Sequence, residues 1–142
     1  MKTNNITEKN KAIILKLYKD VLVDWNMPMV DELLAENFIS HDWPKDTPAG
    51  PRSFKAFYSK IKVTLPDARY HTEDIVAEND KVAVRWRLQG TQEGDFEGIA
   101  ATGKPITLNG IAIYRLADDK VQERWVFTDL QLLLQQVDSA KL

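Results

Sequence analysis

The run Glu123-Arg124-Trp125-Val126-Phe127-Thr128-Asp129 places two carboxylates six residues apart with two large aromatics between them. Read as a strand, it alternates, so Glu123, Trp125, Phe127 and Asp129 share one face. A carboxylate held among aromatic rings is a candidate general base, because loss of water raises its pKa and proximity lets it take a proton beside a carbonyl. Asp129 also precedes a helical stretch, where its side chain can cap free backbone N–H groups, and both readings stay open. Glu123 either joins the same pocket or forms an ion pair with Arg85, Arg87 or Arg115. The Trp125 indole only donates a hydrogen bond, so it reads as a pocket wall. His41, just before a Pro-rich loop, either polarises a carbonyl and shares a proton with Asp129 or anchors that loop.

Gly110 sits inside a strand beside Asn109. If the Asp118-Asp119 turn holds, Gly110 pairs with Phe127 on the pocket face and leaves room for a ligand. Gly90, Gly94, Gly98 and Gly103 surround a strand connection; no helix or Lys-Ser/Thr pair follows them, so they read as turns and bulges rather than a phosphate loop. His71, Trp43 and Trp86 read as structural.

Composition narrows the chemistry. The 142 residues contain no cysteine and two histidines, which excludes disulfides, a thiolate nucleophile and a three-histidine metal site within one chain. No metal and no cofactor is expected. A net charge of −2 gives no reason to bind nucleic acid or an anionic membrane, and no apolar run is long enough for a signal peptide or a membrane span. A cysteine-free chain of this kind fits the cytoplasm, and its length fits one domain, 1–142, with a core over about 8–138.

The elements that must hold these residues follow from periodicity. Ile14, Leu17, Tyr18, Val21 and Trp25 fall on one face of a first helix, with Asn5 and Glu8 suited to its start. Asn26 and Pro28 open a short second helix, and Phe38 to His41 is a short extended piece. Pro51 opens a third helix, which Pro66 ends. Strands follow at Tyr70–Glu78, Lys81–Gln89, Pro105–Leu116 and Val121–Thr128, with tight turns at Asn79-Asp80 and Asp118-Asp119. A last helical segment carries Leu130, Leu133, Leu134 and Val137. Helices before an antiparallel sheet make an α+β fold.

Two segments, Gly90-Thr91-Gln92-Glu93-Gly94-Asp95-Phe96-Glu97-Gly98 with Ala101-Thr102-Gly103-Lys104-Pro105, and Glu123 to Asp129 with Leu130 to Gln136, resemble the SnoaL-like polyketide cyclases. Phe38 to His41, Gly50-Pro51 and Leu65-Pro66-Asp67 fall in the same order. The resemblance implies the cone-shaped α+β barrel of the nuclear-transport-factor-like superfamily, with a pocket between the helices and a curved sheet. It also implies an intramolecular aldol condensation without metal or cofactor, with Asp129 at the position of the family's acid/base. Family members often carry His where Gln92 stands, near the expected pocket mouth, so substrate identity is not carried over.

The expected activity is a cofactor-independent cyclase or isomerase acting on a small hydrophobic carbonyl or ester compound, with Asp129 and His41 catalytic and Trp125, Phe127, Glu123, Gly110 and Gln92 around the substrate. The alternatives are a ligand-binding protein and a dimeric assembly module of the same fold. The opposite sheet face, read as Ile111, Ile113, Arg124 and Val126, is expected to pair two copies.

Overall fold

A computed structural model describes residues 2–96, 98–132 and 135–136, the side chains of 2–4 aside. Helix α1 (Lys2–Lys16) runs into a π-helical segment, Leu17–Val23, and a 3-10 turn, Met27–Met29, leads to the short α2 (Val30–Leu33). Strand β1 (Leu34–Ser40) and helix α3 (Pro51–Thr64) precede β2 (Arg69–Glu78), β3 (Lys81–Thr91), β4 (Pro105–Ala117) and β5 (Lys120–Thr128). Residues 130–132 and 135–136 are helical; Leu133, Leu134 and Val137 of the expected last helix lie outside the described residues. No helix among the described residues is long and apolar enough to cross a membrane.

The sheet order is β1-β5-β4-β3-β2. The four later strands form the expected antiparallel meander, but β1 begins at Leu34 rather than Phe38 and lies parallel to β5, so the sheet is mixed. Helix α1 starts at Lys2, which puts Asn5 inside the helix rather than at its cap. The two hairpin turns behave as their residues require: Asn79, Asp118 and Asp119 all have positive φ, a conformation Asn and Asp tolerate at tight turns.

Alternation builds the core. Val82, Val84, Trp86 and Leu88 of β3 are buried, as are Ile106, Leu108, Ala112, Tyr114 and Leu116 of β4. They pack against Ile14 of α1, Leu17, Tyr18 and Val21 of the π-helical segment, and Phe54 and Tyr58 of α3. Each such large apolar side chain contributes roughly 1.5–3 kcal/mol by leaving water.

Strand β5 departs from simple alternation. Ala117 pairs with Lys120 and Leu116 with Val121, but Arg115 pairs with Glu123, so Gln122 is an extra residue in the ladder. Such a bulge exchanges the two faces of everything beyond it. Val121 points into the core before the bulge, and Arg124 is buried after it. The expected pairing of Gly110 with Phe127 is corrected accordingly, since Gly110 pairs with Thr128.

Gly110 leaves no room for a ligand either. A Cβ there would lie 2.2 Å from Trp86 Cζ2 and 2.6 Å from the Phe127 carbonyl oxygen, because the indole of the cross-strand Trp86 fills that space. Gly110→Ala should therefore destabilise the fold by about 1–3 kcal/mol in urea unfolding. Combining it with Trp86→Leu should recover part of that loss; full additivity of the two losses would show that the indole is not the obstacle.

Candidate functional site

The bulge in β5 separates the sequence-predicted residues from the interior. Trp125 and Phe127 lie on the outer face, where Phe127 is 71% exposed and the two oppose Ile113 and Ile111 of β4. Asp129 is exposed, its Oδ1 accepts the Leu132 N–H at 3.0 Å, and it borders an open outer groove with Phe127 and Gly110. Of its two sequence readings, the helix cap is the one formed, and the expectation that it projects among pocket aromatics is corrected. The expected dimer face is corrected in the same way, as Ile111 and Ile113 share it with Trp125 and Phe127, while Arg124 and Val126 face inward.

His41, Glu123 and Trp125 do come together, but outside. The His41 ring stacks on Trp125 at 4.8 Å, and its Nε2 lies 2.7 Å from Glu123 Oε2. Arg115 Nε donates to the other Glu123 oxygen at 2.6 Å, so of the three arginines considered for Glu123, Arg115 is the partner. Hydrogen bonds from His41 and then Arg115 hold the Glu123 pKa below its ordinary value. Gln92 is buried and outside the cavity lining, and it acts as a staple: its Nε2 donates to the Ile99 and Ala100 carbonyls, and its Oε1 accepts from Thr102 Oγ1. It ties down the connection between β3 and β4.

The interior holds a different constellation. Between helices and sheet lies a cavity of about 530 Å³, lined by aromatics from every layer, including Tyr18, Trp43, Phe57, Tyr58, Tyr70 and Trp86. Its size falls in the range of small-molecule sites. Arg124 projects from β5 into its wall and is 1% exposed. The guanidinium carbon lies 5.1 Å from the Phe54 ring centre and 5.4 Å from that of Tyr58. Trp43 and Phe57 each lie at 5.8 Å and Phe38 at 6.0 Å, a box of π-faces that suits a cation.

Hydrogen bonds orient this charge. Arg124 Nε donates to Ser40 Oγ at 2.8 Å and Nη1 to the Tyr58 hydroxyl at 2.7 Å. Ser40 Oγ in turn donates to Asp42 Oδ1, and Asp42 borders the cavity where the loop after β1 begins. Burial opposes the charge on Arg124, but Tyr58, Tyr114 and Asp42 outweigh it and the net shift is upward, so the group stays charged. Tyr114, the cross-strand partner of Arg124 on β4, meets the Tyr18 hydroxyl at 2.8 Å. Burial raises both phenols, Tyr114 to about 12, and raises Tyr70 as well, so these three remain neutral hydrogen-bonding groups at pH 7. Among the described residues no cluster of His, Cys, Asp and Glu could hold a metal ion.

Residues 12–137 match the model of the SnoaL-like polyketide cyclase family. The chain belongs to that family. Solved structures agree with its fold. A SnoaL-like protein from Jannaschia sp. CCS1 is 25% identical with a TM-score of 0.79, over 92% of each chain. IdmH from Streptomyces antibioticus, named a candidate polyketide cyclase, is 24% identical with a TM-score of 0.78, over 91% of this chain and 98% of its own. A SnoaL-like polyketide cyclase from Agrobacterium tumefaciens is 19% identical with a TM-score of 0.79, over 90% and 97%. The last two show the shared α+β fold. No curated protein sequence matches this chain.

The residues missed from sequence are those of the cavity: Arg124, Ser40, Asp42 and the tyrosines. The residue pattern marks Tyr18 and Tyr58 only as helix-face aromatics, and simple alternation puts Arg124 on the outer face because nothing in the residue types around Gln122 marks the bulge.

The outer cluster sets a pH dependence of stability. Glu123 has a lowered pKa when folded, so its contribution is present above its unfolded value of 4.5 and is lost as pH falls through the lower folded value. Glu123→Gln should flatten the loss of stability below about pH 4.5 in urea unfolding at stepped pH. An acid limb as steep as that of the unsubstituted protein would remove Glu123 from it.

Proposed function

We propose that the chain is a cyclase- or isomerase-type enzyme that takes a small, mainly hydrophobic carbonyl or ester compound into the aromatic cavity and moves a proton at the carbon beside its carbonyl. The observation that carries this reading is the linked set Asp42–Ser40–Arg124–Tyr58 on the cavity wall. Asp42 is the carboxylate among the described lining residues and takes the role of base. Arg124, fixed by Ser40 and Tyr58, and the neutral phenols supply charge and hydrogen bonds to the carbonyl oxygen as negative charge develops on it. The resulting carbanion attacks a second carbonyl of the same molecule. A carbon–carbon bond forms, and the new alkoxide receives the proton removed at the start, so the reaction is an isomerisation with nothing gained or lost.

The reading needs no electron acceptor and uses only residues of this chain. Its test is hydrogen–deuterium exchange at the α-carbon of a simple benzo-fused ketone such as 2-tetralone, followed by NMR in D₂O. The unsubstituted protein should exchange it faster than buffer, and Asp42→Asn should lower that rate by about 10²-fold or more while ketone affinity stays within about twofold. Binding with no exchange above buffer would instead assign the cavity to ligand binding alone.

A second proposal concerns assembly. Ile111, Ile113 and Phe127 are exposed together on the outer sheet face, while neighbouring charges pair within the chain, as in Arg85 with Asp74 and Arg115 with Glu123. We infer that a second copy covers this face in the cytoplasm. Light scattering at micromolar concentration should give twice the chain mass, and Phe127→Glu should return it to the monomer; a monomeric unsubstituted protein would overturn the proposal.

A further inference from the structure

Two buried donors in the cavity wall have no partner. Arg124 spends Nε on Ser40 and Nη1 on Tyr58, but Nη2 is buried and makes no hydrogen bond. Trp43 Nε1 is in the same state. Both residues line the cavity, and the guanidinium carbon lies 5.8 Å from the Trp43 ring centre. Neither group can accept a hydrogen bond, so whatever satisfies them must be an acceptor. A buried donor left unmatched is costly, and more so when it is charged.

Charge narrows the acceptor further. The guanidinium is buried without a carboxylate bonded to it, since the Ser40 hydroxyl stands between it and Asp42. Tyr18, Tyr70 and Tyr114 are held neutral by burial, and Lys60 adds a second cation to the lining. A buried cation that lacks a directly bonded anion is completed best by a ligand that brings one. The walls select the rest of the molecule: Trp43, Phe57, Tyr58, Tyr70 and Trp86 present ring surfaces suited to a flat apolar body.

We propose that the cavity binds flat hydrophobic organic anions, with an anionic oxygen taken up by Arg124 Nη2 and Trp43 Nε1. The class comprises aryl carboxylates and the enolates of acidic 1,3-dicarbonyl compounds, which share a negative oxygen on a planar apolar frame. This rests on the reading of the cavity as a ligand site and adds the charge of what enters it. For a 1,3-dicarbonyl compound the same contacts stabilise the enolate that proton removal leaves behind.

The test is calorimetric titration of the full chain at pH 7 with 2-naphthoate, with the enolate of 2-phenylindane-1,3-dione and with the neutral 2-naphthamide. At least one anion should bind about tenfold or more tightly than the amide, and the anion that does so names which source the site prefers. Trp43→Phe keeps the ring and removes one donor. It should weaken the anion about three- to tenfold and leave the amide within about twofold. Arg124→Gln should abolish the preference if it folds, as checked by circular dichroism, and Trp43→Phe carries the test if it does not. Equal binding of amide and anions would overturn the charge assignment while keeping the cavity as a ligand site. No binding of any of the three would overturn both.

Discussion

One extra residue in β5 decides what the interior of this protein is made of. Gln122 has no partner across the ladder, so the residues before it and after it present opposite faces. Val121 reaches the core on one side of the bulge and Arg124 on the other. Continued alternation from Val121 would have turned Glu123, Trp125 and Phe127 inward and left the arginine in water. The side-chain period of a strand is two, so a one-residue change exchanges the faces completely. The neighbouring β1 follows, since it pairs with β5 in a register that also shifts, between Leu34 and Ile39, and brings Ser40 beside Arg124.

The interior then has to accommodate a cation. It does so with aromatic faces and hydroxyls rather than a directly bonded carboxylate: five rings surround the guanidinium, and Ser40 and Tyr58 take two of its donors. This arrangement leaves Nη2 unmatched in the protein itself. The same rings that stabilise the charge form the cavity wall, which is why the packing of the core and the chemistry of the site are not separable here. Tyr18 joins the set from the π-helical segment, bonded to Tyr114 of β4, and local widening of a helix often accompanies functional positions.

The outer face is built on different terms. Its ion pairs, Arg85 with Asp74, which is exposed, and Arg87 with Glu73, which is half-buried, add little stability individually. They leave Ile111, Ile113 and Phe127 as the prominent features of that surface. His41, Glu123 and Asp129, the candidates that the residue pattern puts forward, are all spent there on local contacts: a stacked, hydrogen-bonded pair and a helix cap.

Much of the fold was legible in the amino-acid sequence because periodicity and turn chemistry are local. The alternation of Val82, Val84, Trp86 and Leu88, the turn residues Asn79, Asp118 and Asp119, and Pro51 at the start of α3 each act within a few residues of themselves. The segments around Gln92 and from Glu123 onward were likewise enough to place the chain in its family. The bulge was not legible, because it records how β5 satisfies β4 and β1 at once, and the identity of Gln122 carries no trace of that. So the residue types of the site, carboxylate, aromatic and cation, belonged to the sequence alone. Which of them faces the cavity was decided only when the strands paired.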